Sequence, residues 1–411
     1  MGDWDVKTQL RFPPRESLVE ETVGEFLDGN SRVRRRWVKP EDVDGDPGFQ
    51  PHDVVVRDAT QAKATLTKQG FELVQLPSGV TDLLLEIEAV GLSGFLSGPA
   101  LDGAEQAEQQ GKGKQQLEAL AARRMVGPFL MQDSVGINLS CRGFLLRRGG
   151  PLGRPLDDGK YDGVANGVHI DQDLDGEPLK SLGINWLFQR IPFLHILNVW
   201  TPLHGMAMNP LTVMDVRTIK PGEVVRLRHS SSTNAAGKGG NFTADSLLLP
   251  HEPAQEWWWF PRQEYGDALY FYTAETPHSA FSVPAAEEML ASFQAFLGEA
   301  KRQGRCPSTP VPDASGIIAD QRTPPQSAKL LQQLTQDVDV ICAADPIAHL
   351  DLLDASIRSI SRSSFEMRCG AFVVPYSWFG ALVALALCCC AAVVHWAFTG
   401  RRRNREKVKI A

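Results

Sequence analysis

Gly167-Val168-His169-Ile170-Asp171 sets an imidazole and a carboxylate one residue apart. On an extended chain residues i and i+2 share a face, so a short strand here presents both side chains as neighbouring ligands. A histidine arriving from a distant strand completes a two-histidine, one-carboxylate set, the facial arrangement that holds Fe(II) and leaves positions open. His278, in Thr276-Pro277-His278-Ser279-Ala280-Phe281, ends an aromatic-rich stretch and could take that role. The pair alone is not specific. The chain has nine histidines, and a loop histidine beside an acidic turn spells the same letters. Asp171, Asp173, Asp175 and Gly176 also copy the first half of a calcium loop. Its second half fails, because Leu182 stands where a bidentate glutamate is required and Pro178 interrupts the loop.

The elements that must position these residues are short strands. From about residue 136 the texture is a series of such segments, including INLSCRGFLLR, GVHID, FLHILNVW, LTVMDVRTI, EVVRLRH, EWWWF and DALYFYT, parted by Gly, Pro and Asp. Close spacing without alternating helices predicts a mainly β barrel or jelly-roll with flanking helices. Upstream, GFELVQLPSGV alternates like a half-buried strand, and residues 285–301 place Met289, Phe293, Phe296 and Leu297 on one helical face. Trp257, Trp258 and Trp259 are consecutive, so on a strand only alternate ones can line one surface. The expected organisation is an irregular arm over 1–50 and a barrel domain over 51–301. A Pro-rich linker with juxtamembrane helices follows over 302–370, then a transmembrane helix over 371–398 and a basic tail over 399–411.

Charge supports that division. The chain of 411 residues carries a formal net charge of -7, which argues against a nucleic-acid partner because phosphate contacts need a basic surface. Residues 401–411 hold six Lys or Arg and one Glu, so the acidity belongs to the rest of the chain. Residues 371–398 contain no Asp, Glu, Lys or Arg, with Tyr376, Trp378 and Trp396 at the ends, which reads as a bilayer span. An amino terminus without an apolar stretch makes it a tail anchor with the large domain in the cytosol, on a membrane of unspecified organelle. The positive-inside bias favours the opposite topology. The cysteines have no CxxC spacing, so neither a disulfide framework nor a zinc site is expected.

Five ordered pieces resemble the hydroxylase/desaturase family that includes AsaB-like, cephem methoxylase CmcJ-like and gibberellin desaturase-like proteins. They are VVVRDATQAKATLTKQGFELVQLPS at 54–78, GVHIDQD at 167–173, LNVWTPL at 197–203, NPLTVMDVRTI at 209–219 and DALYFYTAETPHSAF at 267–281. The resemblance implies a double-stranded β-helix (jelly-roll, cupin-like) with His169, Asp171 and His278 as iron ligands. It also implies Fe(II)- and 2-oxoglutarate-dependent hydroxylation or desaturation of a small, apolar molecule by O2, with Asn198 and Trp200 shaping the pocket. The chain departs from the family pattern in two places. Thr201 replaces the usual Arg between Trp and Pro, and no Lys or Arg occurs between His278 and Lys301. A dicarboxylate cosubstrate needs a fork-shaped cation, which leaves Arg217, Arg226 and Arg228 as substitutes. An iron oxygenase without 2-oxoglutarate, or a degenerate barrel kept as a binding or scaffold protein, are the alternatives.

Overall fold

The computed structural model describes residues 5–13, 35–37, 49–84, 118–149, 167–174, 183–202, 210–231, 242–319 and 362–378, apart from gaps of one or two residues. It also describes isolated positions within 332–342 and 380–391. Fifteen strands among the described residues form two sheets. The nine-stranded sheet contains β1 (Val6–Phe12), β2 (Arg35–Trp37), β3 (Gln50–Asp58), β7 (His169–Ile170), β9 (Leu211–Met214), β10 (Val224–Ser231), β11 (Phe242–Leu248), β12 (Trp257–Trp259) and β14 (His278–Ala280). Its order is β1-β3-β12-β9-β14-β7-β11-β10-β2. The six-stranded sheet, in the order β4-β13-β8-β15-β6-β5, contains β4 (Phe71–Gln75), β5 (Gly127–Leu130), β6 (Ser134–Gly149), β8 (Leu194–Pro202), β13 (Asp267–Tyr272) and β15 (Arg362–Pro375). A mainly β, two-sheet arrangement with few helices fits a jelly-roll.

Period-two alternation decides where each side chain goes. Between the sheets lie Phe71, Trp200, Leu211, Val213, Leu269 and Phe271. Behind the nine-stranded sheet a second core collects Val6, Leu10, Phe12, Ile170, Met214, Trp257 and Trp259. Trp258 turns the other way and packs on the inter-sheet core, as alternation requires. Behind the six-stranded sheet, Leu83, Leu84, Ala121 and Met125 from the helical residues 78–84 and 118–125 cover Leu197, Val199, Tyr270 and Met367. The helix α1 (Pro284–Gln303) buries Met289, Phe293, Phe296 and Leu297, the face that its spacing predicts.

Two stretches differ from the expected organisation. Val6–Phe12, placed in an irregular arm, is a strand in register with β3. Val6, Thr8, Leu10 and Phe12 are buried while Lys7, Gln9 and Arg11 face solvent, so the charged letters that suggested an arm are one face of a strand. The second correction is larger. Arg362–Pro375, divided between a juxtamembrane linker and the first residues of a membrane span, is a strand between β6 and β8, antiparallel to both. Phe365, Met367, Cys369, Ala371 and Val373 are all buried in the core behind the sheet. With β15 in place, the backbone groups of β6 and β8 that would otherwise form open edges are paired.

The 371–398 span therefore loses its first five residues to the barrel. The described positions beyond Pro375 (Tyr376, Ser377, Trp378, Gly380, Ala381, Cys388 and Ala391) are helical and exposed. No helix among the described residues is long and apolar enough to cross a membrane. Most of 379–398 and all of the basic tail lie outside the described residues.

The cysteine expectation is corrected as well. Cys141 and Cys369 are joined across β6 and β15, and Cys306 is joined to Cys342. Strand register brings the first pair opposite each other at a sequence separation of 228, so no local spacing could announce it.

Candidate metal centre

Register assembles the site. Val168 and Ile170 point into the core behind the nine-stranded sheet, which turns His169 and Asp171 toward the space between the sheets. His278 on β14 is the direct cross-strand partner of His169 on β7, and their ring centroids lie 4.4 Å apart. Two residues more than a hundred positions apart thus become adjacent. Among the described residues, His169, Asp171 and His278 form a group whose ligand atoms all lie within 4.8 Å of one another.

The hydrogen bonds around them select a metal-ready state. His169 Nδ1 lies 2.7 Å from the Gly167 carbonyl oxygen, and His278 Nδ1 lies 3.1 Å from that of Thr276. A carbonyl only accepts, so each Nδ1 carries a proton and Nε2 is the ring nitrogen left to ligate. Both Nε2 atoms face Asp171, at 3.4 Å from Oδ1 for His169 and 3.6 Å from Oδ2 for His278. A metal held between them would take both Nε2 atoms and the carboxylate as ligands. The donor set, the tautomers and the backbone carbonyls behind the imidazoles all fit a divalent metal of the Fe(II) class.

The electrostatics favour the same state. Burial first, and the neighbouring His169 second, push His278 down to about 4, against the opposing pull of Asp171. It is therefore neutral at physiological pH, the form that binds metal. Burial alone pushes the Asp171 carboxyl up, but Arg368, His278 and His169 together outweigh it and hold the group well below the usual carboxylate range. With His278 neutral, Arg368 is the main cation that keeps Asp171 charged.

The six-stranded sheet contributes from across the interior. Asn198 Nδ2 on β8 donates to Asp171 Oδ2 at 2.7 Å, and Arg368 Nη2 on β15 lies 3.3 Å from Asp171 Oδ1. Arg368 is the register partner of Asn198, so the two stand side by side. Phe271 packs against His278 with ring centroids 4.7 Å apart. Trp200, two residues beyond Asn198 and nearly fully buried, belongs to the same inter-sheet core.

Of the expected cosubstrate arginines, Arg217 does not join the cluster. Arg217 is clamped by Asp215, with Nε at 3.0 and 3.1 Å from the two carboxylate oxygens and Nη2 at 2.5 Å from Oδ2. Arg226 and Arg228 belong to β10, but their side chains lie outside the described residues. The basic residue that does reach the ligands, Arg368, was missed because its segment was read as a linker. A signal for it exists in SFEMRCGAFVV, where apolar residues alternate with Glu366, Arg368 and Gly370.

A family model described as an oxidoreductase/YMDC permease-like domain matches residues 147–292, well under half of the chain. The matched stretch holds all three ligands. No curated protein matches the chain. Among solved structures, the chain is similar to the iron and alpha-ketoglutarate-dependent endoperoxidase NvfI, at 15% identity and a TM-score of 0.44, over 90% of this chain and 99% of that one. A structure of NvfI in a different conformation matches at 15% identity and a TM-score of 0.42, over 90% and 96% of the two chains.

Proposed function

We propose that the protein is a non-heme Fe(II) oxygenase that hydroxylates or desaturates a small, apolar molecule with O2 and 2-oxoglutarate. The observation that carries this reading is the pair of Nε2 atoms converging on the Asp171 carboxylate. The oxidoreductase description of the matched stretch supports it. His169, Asp171 and His278 would hold the iron, which when bound supplies the activation of O2 that protein side chains lack. The chain's own residues do the rest. Gly167 and Thr276 carbonyls hold the imidazole tautomers, Asn198 orients Asp171, and Phe271, Trp200 and Leu269 form an apolar surround that excludes water and suits an apolar substrate. Within this class, the ordered segments at 54–78, 167–173, 197–203, 209–219 and 267–281 favour the AsaB/CmcJ-like group and its double-stranded β-helix.

The purified protein should contain about one iron per chain and consume 2-oxoglutarate only with O2. Turnover unchanged in His169→Ala would overturn the assignment. A second reading, oxidation without 2-oxoglutarate, is favoured by the commitment of Arg217 to Asp215. Release of succinate in step with oxygen uptake excludes it.

Membrane attachment is also part of our reading. Residues 376–398 contain no Asp, Glu, Lys or Arg, and Tyr376 and Trp378 leave the end of β15 exposed at 46% and 57%. A segment of this length spans a bilayer, and Tyr and Trp suit its interface. Retention in the membrane pellet after alkaline carbonate washing tests the anchor. Two disulfides and the basic residues 401–411 favour a barrel on the non-cytosolic side, opposite to the cytosolic placement expected above. Protection of the barrel from protease added to sealed vesicles decides the side.

A further inference from the structure

The ligand trio accounts for a metal but not for the cation that a carboxylate-bearing cosubstrate needs, and Arg217, one of the expected arginines, is committed to Asp215. We propose that Arg368 is that anchor: in the metal-loaded protein its guanidinium receives a carboxylate of the 2-oxo acid. The inference rests on the oxygenase reading and adds a residue that the resemblance does not supply.

Placement is the first argument. Phe365, Met367 and Cys369 face the core behind the sheet, so alternation turns Arg368 toward the space between the sheets. Register sets it beside Asn198, and both side chains reach Asp171. Among the described residues, no other Lys or Arg forms an ion pair with His169, Asp171 or His278.

Arg368 also differs from a committed structural arginine. Arg217 grips Asp215 through three contacts of 2.5 to 3.1 Å. Arg368 meets Asp171 by an ion pair of 3.3 Å, longer than a charge-assisted hydrogen bond, and its side chain is 39% exposed. A divalent metal on Asp171 takes over the neutralisation of that carboxylate. The guanidinium, with five donors in a planar fork, is then released from neutralising Asp171 while it stays beside the metal, the geometry that carboxylates seek.

The backbone beneath it is held on both sides. β6 and β8 pair with β15, and the neighbouring Cys369 is bonded to Cys141. The chain therefore delivers Arg368 from a rigid strand.

The test is an anaerobic titration of the Fe(II)-loaded full chain with 2-oxoglutarate, read by the visible charge-transfer band that a chelated 2-oxo acid gives with Fe(II). Arg368→Gln should raise the dissociation constant at least ten-fold, and Arg368→Lys should fall between it and the parent. Fe(II) affinity should stay the same or tighten, since a positive charge beside the metal has been removed. A dissociation constant for Arg368→Gln within two-fold of the parent overturns the proposal while leaving the oxygenase reading intact. Should that variant fail to fold, the same two-fold criterion applies to Arg368→Lys. A parent that binds Fe(II) but shows no 2-oxoglutarate band overturns the cosubstrate reading, and the anchor with it.

Discussion

The two sheets contribute to the site in different ways. The nine-stranded sheet supplies the histidines from two short strands, β7 and β14, whose register sets one opposite the other, and Asp171 from the residue just after β7. Among the described residues, the six-stranded sheet supplies none of the three ligands. It supplies the polar groups that hold one, Asn198 and Arg368, from adjacent strands that are also in register. Ligands on one wall and their supports on the other mean that the site exists only when both sheets are folded and packed.

The largest effect should come from the ligand wall. Asp171→Ala or His278→Ala should lower Fe(II) affinity by more than about 100-fold, measured by competition with a metal-sensitive dye, while thermal unfolding of the metal-free protein changes little. Equal loss from a support-wall substitution would erase the distinction between the walls.

The second effect concerns whether β15 belongs to the barrel. Phe365 is fully buried behind the sheet, so Phe365→Ala should cost about 3–5 kcal/mol in urea unfolding. A chain ending at residue 361 should fail to fold, because β6 and β8 would lose the strand between them. A near-neutral Phe365→Ala would return the segment to the status of a linker.

Third, Asn198→Leu removes the amide that orients Asp171, and should weaken Fe(II) binding about ten-fold without moving the unfolding midpoint much. The smallest effect lies on the far face of the supporting sheet. Burial lowers His195 to about 4 from an ordinary 6.5. Between those values the unfolded chain binds a proton that the folded chain refuses, so stability falls as pH falls from about 6.5 toward 4. His195→Gln should remove roughly 1–3 kcal/mol of that acid sensitivity, seen as a flatter dependence of the unfolding midpoint on pH.

The contrast between the walls is also a contrast in legibility. His169 and Asp171 announce themselves because a strand's period puts i and i+2 on one face, and that rule needs no partner strand. His278 could be named only as a candidate, since nothing local ties it to β7. Arg368 is hidden in the sequence because the uncharged stretch after it reads as a membrane segment, which masks the alternation of SFEMRCGAFVV. The Cys141–Cys369 disulfide is invisible in the sequence for a related reason: strand pairing, not spacing, brings the two together.

Taken by itself, the sequence determined the mainly β class, the buried face of α1, the alternating tryptophans and the ligand-type residues, all consequences of local period and residue chemistry. Tertiary structure alone decided that His278 stands opposite His169, that Arg362–Pro375 closes a gap in the supporting sheet, and that Arg368 rather than Arg217 meets Asp171. Each of those facts depends on which strands pair and in what register. Backbone hydrogen bonds between strands are blind to side-chain identity, and only the packing of the whole chain selects among the registers they allow.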